Sequence, residues 1–286
     1  MASRASGAID EDMRRSIARS FVVALLAAPL VGLAACAHAV ESTDENAQPV
    51  AGQCEHDFVL PRDDGVLTNV GVVNVYWGAY WQASQGSGAR AVQSATWSKL
   101  ASDARFYRAL QAYAPKGKAI AGRYLASASI GAALGGVTSV GKDAFEGELA
   151  RAIAAGELPA HQGDTAPISV VYLPPGTSGP PLDAPDGPVA YAAYHHFMQL
   201  ADGTQVPYVI VVFDDASALD IAASHELYET ITNPFGQGWR DRYKDTHGLH
   251  AEIADVCAGD TTSLDGRSVQ RLWSPRACAC VDPSSP

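Results

Sequence analysis

The sequence predicts a single domain of α/β or α+β class with a mixed sheet, preceded by an export segment. Three observations carry this. Strand-like and helix-like segments follow the order strand, helix, helix, strand, hairpin, helix. Hydrophobic residues at 47% and charged residues at 18% are proportions of a globular chain, not a disordered one. No internal repeat divides the 286 residues, so residues 57–286 read as one domain that ends in an irregular, disulfide-bonded tail.

The elements follow from local pattern. Residues 70–78 (VGVVNVYWG) are rich in Val and aromatics and roughly alternate, which predicts a strand. Residues 91–113 place Val92, Trp97, Leu100, Phe106, Tyr107 and Leu110 at mixed spacings of three and four with no Pro, which predicts a helix. Residues 120–141 are rich in Gly, Ala and Ser, with strand-like pieces. A second helix is predicted over 142–155, with Glu146 and Glu148 near its start, Gly156 at its end and Pro159 beyond. Residues 168–173 form a strand closed by Pro174-Pro175-Gly176, and a loop continues to residue 188. Residues 189–198 and 206–213 pair as a hairpin about Asp202-Gly203. Asp214-Asp215 cap a helix from about residue 216 to 232, which Asn233-Pro234 stops.

The amino terminus reads as a processing segment over residues 1–35. A basic stretch, Met13 to Arg19, precedes 15 uncharged apolar residues, 21–35. That length suits a secretory signal and falls short of the ~20 residues of a spanning helix. Asp10-Glu11-Asp12 sit oddly in such a region, so the signal reads more cleanly from Met13. Leu33-Ala34-Ala35-Cys36 resembles a bacterial lipobox, which implies a lipid on Cys36 and a membrane contact through it. Soluble secretion, with cleavage after Ala37-His38-Ala39, is the alternative. Residues 40–56 are polar, without periodicity, and the stretch 36–56 reads as a tether. Residues 1–35 hold four Arg and three acids, so the remainder carries 16 basic and 28 acidic residues, a net charge of −12. Such a surface repels polyanions, which excludes nucleic acid as a main partner.

With Cys36 assigned to lipid, Cys54, Cys257, Cys278 and Cys280 remain, an even set suited to an oxidising compartment. Cys278 and Cys280 are too close in sequence to bond each other well, so one is expected to pair with Cys257 and the other with Cys54. No C-x-x-C spacing supports a cysteine metal site.

The chemistry concentrates on the last helix, in Ser224-His225-Glu226-Leu227-Tyr228-Glu229. His225, Glu229 and Thr232 fall on one stripe at i, i+4 and i+7, apart from the apolar stripe of Leu219, Ala223, Leu227 and Ile231. This is the geometry of an H-E-x-x-H zinc helix, with Glu229 in place of the second His and Glu226 in the place of the general base. A carboxylate can ligate zinc, so the replacement is chemically tolerable. Downstream, His250-Ala251-Glu252-Ile253-Ala254-Asp255 offers further donors. The 23-residue gap from Glu229 to Glu252 resembles the gluzincin layout, in which a glutamate on a later helix is the third ligand. On that layout His225, Glu229 and Glu252 bind the metal, with Asp255 and His250 behind them. If 250–256 were a strand, His250 and Glu252 would share a face. The metal expected is zinc, with calcium the alternative for so oxygen-rich a set. Two carboxylates neutralise Zn²⁺ and weaken it as a Lewis acid, so the site is either a slow hydrolase or a structural one.

Other constellations are read more plainly. His195 and His196 lie in a strand and point to opposite faces, so one could face the site and the other solvent, with strand-end histidines held by hydrogen bonds preferred over ligation. No G-x-S-x-G supports a serine hydrolase. Trp77, Trp81, Trp97, Trp239 and Trp273 are expected in the core rather than stacked on sugars. Residues 206–213 are expected to form the strand along which an extended peptide lies.

Two stretches carry a wider resemblance. His225-Glu226-x-x-Glu229 with Thr232-Asn233-Pro234 and Gly238-Trp239 form the first. The second is Glu252-Ile253-Ala254-Asp255-Val256-Cys257 followed by Trp273-Ser274-Pro275 before the last cysteines. Together they resemble the plant EXORDIUM, or phosphate-induced, protein family and its bacterial relatives. The resemblance implies an extracellular zincin-like domain and favours Cys257 paired with the closing cysteine. The expectation is an exported zinc-dependent hydrolase, peptidase-like, acting on an extracellular peptide or protein. The alternative is a non-catalytic extracellular binding or signalling module.

Overall fold

A computed structural model describes Cys54, His56, Phe58–Val59 and residues 65–131, 139–180, 192–212, 218–241 and 252–286. The signal segment, Cys36, His250 and the Asp214-Asp215 cap lie outside these. In chain order the elements are β1 (Phe58–Val59), β2 (Asn69–Trp77), α1 (Ser84–Leu100), β3 (Ala121–Ile130), α2 (Lys142–Ala154), β4 (Ala166–Leu173), β5 (Ala193–Gln199), β6 (Gln205–Val212) and α3 (Leu219–Thr232). The tail adds β7 (Arg240–Asp241), β8 (Thr261–Leu264), β9 (Arg267–Gln270), β10 (Leu272–Ser274) and β11 (Ala279–Val281).

The main sheet has the strand order β3-β2-β4-β6-β5. β3, β2, β4 and β6 run parallel, and β5 joins β6 antiparallel at the edge. The sheet is therefore mixed. Its central strands carry the near-continuous apolar runs of a sheet covered on both faces: β2 is buried from Val70 to Trp77 and β4 throughout.

Strand alternation sorts the core into two layers. Val70, Val72, Tyr76, Val170, Tyr172, Val209 and Val211 face α1, α3 and the tail. Val73, Val75, Trp77, Val171, Leu173, Tyr208 and Ile210 face α2, through Phe145, Leu149 and Ala152. The same alternation divides β5. Tyr194 and Met198 belong to the α2 layer, so His195, one residue out of phase, faces α3.

Most predicted elements appear where local pattern placed them. α2 ends beside Gly156, whose φ of 73° only glycine adopts readily. The hairpin turns at Gly203, φ 86°, and β6 pairs with β5 from Gln205 opposite Gln199. The predicted helix over 91–113 is corrected. α1 starts earlier, at Ser84, and stops at Leu100, and residues 104–107 and 109–113 form separate 3₁₀ turns. The Asp103 carboxylate accepts the Arg105 N–H at 2.8 Å, and such local side-chain bonding competes with helix continuation. The strand along which a peptide was expected to lie is corrected too: β6 is internal, between β4 and β5, with no free edge.

Disulfides join Cys257 to Cys280 and Cys54 to Cys278. His56 Nδ1 lies 2.7 Å from Asp241 Oδ2, and β1 pairs with β7. The chain is thus tied into the fold from Cys54 onward. Two disulfides are consistent with an extracellular protein, and no helix among the described residues is long and apolar enough to cross a membrane. Trp81 and Trp97 are fully buried, and Trp77 and Trp273 nearly so.

The C-terminal end of α3 is closed by backbone bonds. Leu67 N–H donates to Ile231 O at 2.8 Å, Trp239 N–H to Thr232 O at 2.9 Å, and Gly238 N–H to Asn233 Oδ1 at 2.6 Å. The first two satisfy carbonyls that a helix end leaves without partners, and the third ties the following turn to the Asn233 side chain. A Cβ at Gly238 would overlap Thr232 O and come within 2.5 Å of Asn233 Cα. Gly238→Ala should therefore destabilise by at least the about 1–3 kcal/mol typical of overpacking. At about 2–4 °C per kcal/mol for a domain of this size, the melting temperature falls by several degrees. An unchanged melting temperature would contradict this close packing.

Candidate metal centre

α3 is an amphipathic helix whose polar stripe is nevertheless buried. Leu219, Ala223, Leu227 and Ile231 are at most 2% exposed, yet Glu226 is 7% and Glu229 3% exposed. β5 and β6 cover one side of the helix and the tail covers another, so acids that helix periodicity would leave in water are enclosed. Ser224, next to His225, serves this packing: its hydroxyl accepts the Gln270 N–H of β9 at 2.9 Å.

Two donor sets meet at Glu229. In one, His225 Nε2 lies 3.3 Å from Glu229 Oε1 and 3.5 Å from Asp255 Oδ1. In the other, His195 Nδ1 lies 3.2 Å from Glu226 Oε2 and 3.6 Å from Glu229 Oε2. Within each set the donor atoms fall within 4.8 Å of one another. His225 and Glu229 are together because they stand one helical turn apart. His195 is there because it occupies the α3-facing phase of the edge strand.

Residues 252–255 are held as a turn, neither the helix nor the strand that sequence patterns suggested. Asp255 Oδ2 accepts the Glu252 N–H at 3.0 Å, and a single 3₁₀ turn, Asp255–Cys257, follows. Ile253 and Ala254 are fully buried, and Ile253 O accepts the Trp273 N–H at 2.8 Å. The Asp255 N–H then donates to Glu229 Oε1 at 3.0 Å. This turn exchanges the positions expected for the two acids. Asp255, expected behind the ligands, faces His225 directly. Glu252, expected as a ligand beside His225 and Glu229, lies on the far side of His195: its Oε1 is 3.7 Å from His195 Nε2 and accepts from Asn233 Nδ2 at 2.9 Å.

His195, for which sequence favours a hydrogen-bonded strand histidine over a ligand, stands among Glu226, Glu229 and Glu252. Its parity in the Tyr194-His195-His196 strand was legible. That this strand is the neighbour of α3 was not. His196 points the other way, 3.0 Å from Lys142 Nζ.

The electrostatics are those of crowded, half-dry acids. Burial pushes Glu229 well above the usual carboxylate range, and repulsion from Glu252, Glu226 and Asp255 adds to this. Burial raises Glu252 to about 7, against the opposing pull of His195 and Asn233. Asp255 is also penalised by burial, but the His225 hydrogen bond and the Glu252 N–H outweigh this and lower it. For His195 burial disfavours the imidazolium, yet Glu252, Glu226 and Asp255 prevail and raise it to about 9.

The residues fit a divalent cation. Donors bound to one zinc at about 2.0–2.1 Å stand about 3.3–3.4 Å apart around a tetrahedron, close to the separations from His225 Nε2 to its two carboxylates. Glu252 Oε2 is buried with no hydrogen-bond partner among the described residues. Asp255, with its side chain 38% exposed, gives the cluster an opening to solvent. Searches of family models, of characterised proteins and of solved structures return no match to this chain.

The metal-free protein should lose stability as pH rises from about 5 to about 9. Glu252 has a folded pKa of about 7 against an ordinary 4.5, so the folded state holds more protons and that contribution fades as pH rises through 7. Glu229 acts with the same sign. His195, raised from 6.5, contributes stability that is lost as pH passes about 9. Asp255, being lowered, acts only in acid. Denaturant midpoints measured in excess chelator should therefore fall steadily across this range, and a rising profile would refute the assignment.

Proposed function

We propose that this chain is an exported, metal-dependent hydrolase of zincin-like character that cleaves extracellular peptides or proteins. The observation that carries the reading is His225 Nε2 at 3.3 and 3.5 Å from one oxygen each of Glu229 and Asp255, the three donors lying within 4.8 Å of one another, beside Glu226 on the same helix. The imidazole favours zinc over calcium. The predicted export segment and the disulfides support an extracellular site, with anchoring through lipid on Cys36 as part of the proposal. The resemblance to the EXORDIUM family points to the same compartment.

The roles follow from position. His225, Glu229 and Asp255 would hold the cation, which supplies Lewis acidity to the attacked carbonyl and to water. Glu226 adjoins the donor set and takes the proton of the attacking water. His195, hydrogen-bonded to Glu226 Oε2 at 3.2 Å, orients that carboxylate. The Asp255 N–H on Glu229 and the Asn233 amide on Glu252 hold the acids in place before substrate arrives.

A second reading, a non-catalytic binding module in which the cluster clamps α3 to the tail, draws on those same cross-links. The two readings separate on turnover. Zinc-loaded protein incubated with a mixed peptide library should generate new termini by mass spectrometry, and a chelator should abolish them. Glu226→Gln should lower turnover about 10²–10⁴-fold with an unaltered circular dichroism spectrum, and His225→Ala should abolish it. Cleavage indifferent to chelator and to both substitutions would overturn the hydrolase. No cleavage, with a melting temperature that rises on adding zinc, would select the clamp.

A further inference from the structure

We propose that the cluster is a two-cation centre in which a second divalent ion lies between His195 Nδ1, Glu226 Oε2 and Glu229 Oε2, with the Glu229 carboxylate shared between the two ions. The proposal rests on the cation reading of the His225 set and extends it; with the second ion bound, Glu226 Oε2 and His195 Nδ1 serve as ligands in place of their base and orienting roles.

The two donor sets use opposite oxygens of Glu229. Oε1 faces His225 at 3.3 Å and Oε2 faces His195 at 3.6 Å. Oε1 also takes the Asp255 N–H, whereas the contact of Oε2 with His195 is longer than a hydrogen bond. The Glu229 side chain is only 5% exposed, and its Oε2 faces a second set of ligand atoms. The two sets do not merge into one group of the same compactness. Ligands of a single ion at about 2.1 Å can stand no more than about 4.2 Å apart. One ion therefore serves one set, and the carboxylate between them is placed as a bridge.

The second set repeats the spacing of the first. His195 Nδ1 lies 3.2 and 3.6 Å from its two carboxylate oxygens, against 3.3 and 3.5 Å for His225 Nε2. A carboxylate stands near the other ring nitrogen, though beyond hydrogen-bond reach of it: Glu252 Oε1 is 3.7 Å from His195 Nε2 and is itself held by Asn233. On this assignment Glu252, out of place as a ligand of the first ion, lies beside the imidazole of the second.

Charge gives an argument that does not depend on distance. Glu226, Glu229, Glu252 and Asp255 carry four negative charges when ionised, and neutral imidazoles offset none. One divalent cation in the His225 set, with His195 kept as an imidazolium against Glu226 and Glu252, leaves one negative charge in a largely enclosed site, and two cations ligated by neutral imidazoles leave none. Uncompensated buried charge is strongly unfavourable. Paired ions about 3.5–4 Å apart are an established arrangement for holding both the attacking and the leaving oxygen of a displacement. Imidazole with carboxylates suits zinc, and manganese offers a magnetic substitute.

The test is metal stoichiometry on the full chain, stripped with chelator and titrated with Zn²⁺ alone, with bound metal counted by mass spectrometry. The wild type should bind two ions, His195→Gln one and His225→Ala one. With Mn²⁺ the wild type should give an exchange-coupled paramagnetic resonance spectrum, and His195→Gln the six-line spectrum of an isolated ion. One ion in the wild type, lost in His225→Ala and kept in His195→Gln, overturns the second site and leaves the first standing. No bound ion overturns both. The wild-type count decides even if a variant fails to fold.

Discussion

The hydrogen bond from the Asp255 backbone to Glu229 joins the two parts of the molecule on which the site depends. Glu229 belongs to a helix packed on the sheet, and Asp255 belongs to a tail held by disulfides and short hairpins. The bond gives a buried carboxylate one strong donor and brings the Asp255 side chain to His225. It also leaves Glu252 directed toward His195 and Asn233. Four acids and two imidazoles then share a volume with little water, where like charges interact strongly. Protons or cations must balance them, and the raised pKa values of Glu229, Glu252 and His195 express the proton solution.

The sheet contributes through its edge. Four parallel strands are covered on both faces, and the antiparallel strand β5 ends the sheet beside α3. Alternation along β5 sends His195 to α3 and His196 to the opposite layer. A slip of one residue in the β5–β6 register would exchange them, and each side chain would change faces. The Asp202-Gly203 turn, which sets Gln199 opposite Gln205, thereby acts on a site lying seven or eight residues before it.

The tail acts as scaffold rather than appendage. Tyr113 donates to Trp273 O at 2.5 Å, Trp239 Nε1 to Tyr113 O at 2.7 Å, and the Ala109 N–H to Pro283 O at 2.8 Å. The Cys257–Cys280 bond closes the segment that directly follows Asp255. A site whose donors come from a strand, a helix and a distant turn needs such rigidity, because an error of about half an ångström spoils a ligand set.

Local pattern in the chain determined a good deal: the mixed α/β class, the strands, the hairpin, α2 and α3, and the helical stripe of His225 and Glu229. Each of these depends on neighbours within a few residues. The even set of four cysteines was legible as well, with Cys257 and Cys54 assigned to different partners. Three matters needed the tertiary structure. The break after Leu100 came from Asp103 bonding locally, where apolar spacing alone still looked helical. The exchange of Glu252 and Asp255 came from a turn whose conformation is held by Trp273 and Glu229, far away in sequence. The arrival of His195 required the strand order, since periodicity states which residues share a face but not what that face meets. Spacing along a chain encodes direction within one element, whereas the meeting of elements is decided by the packing of all of them together.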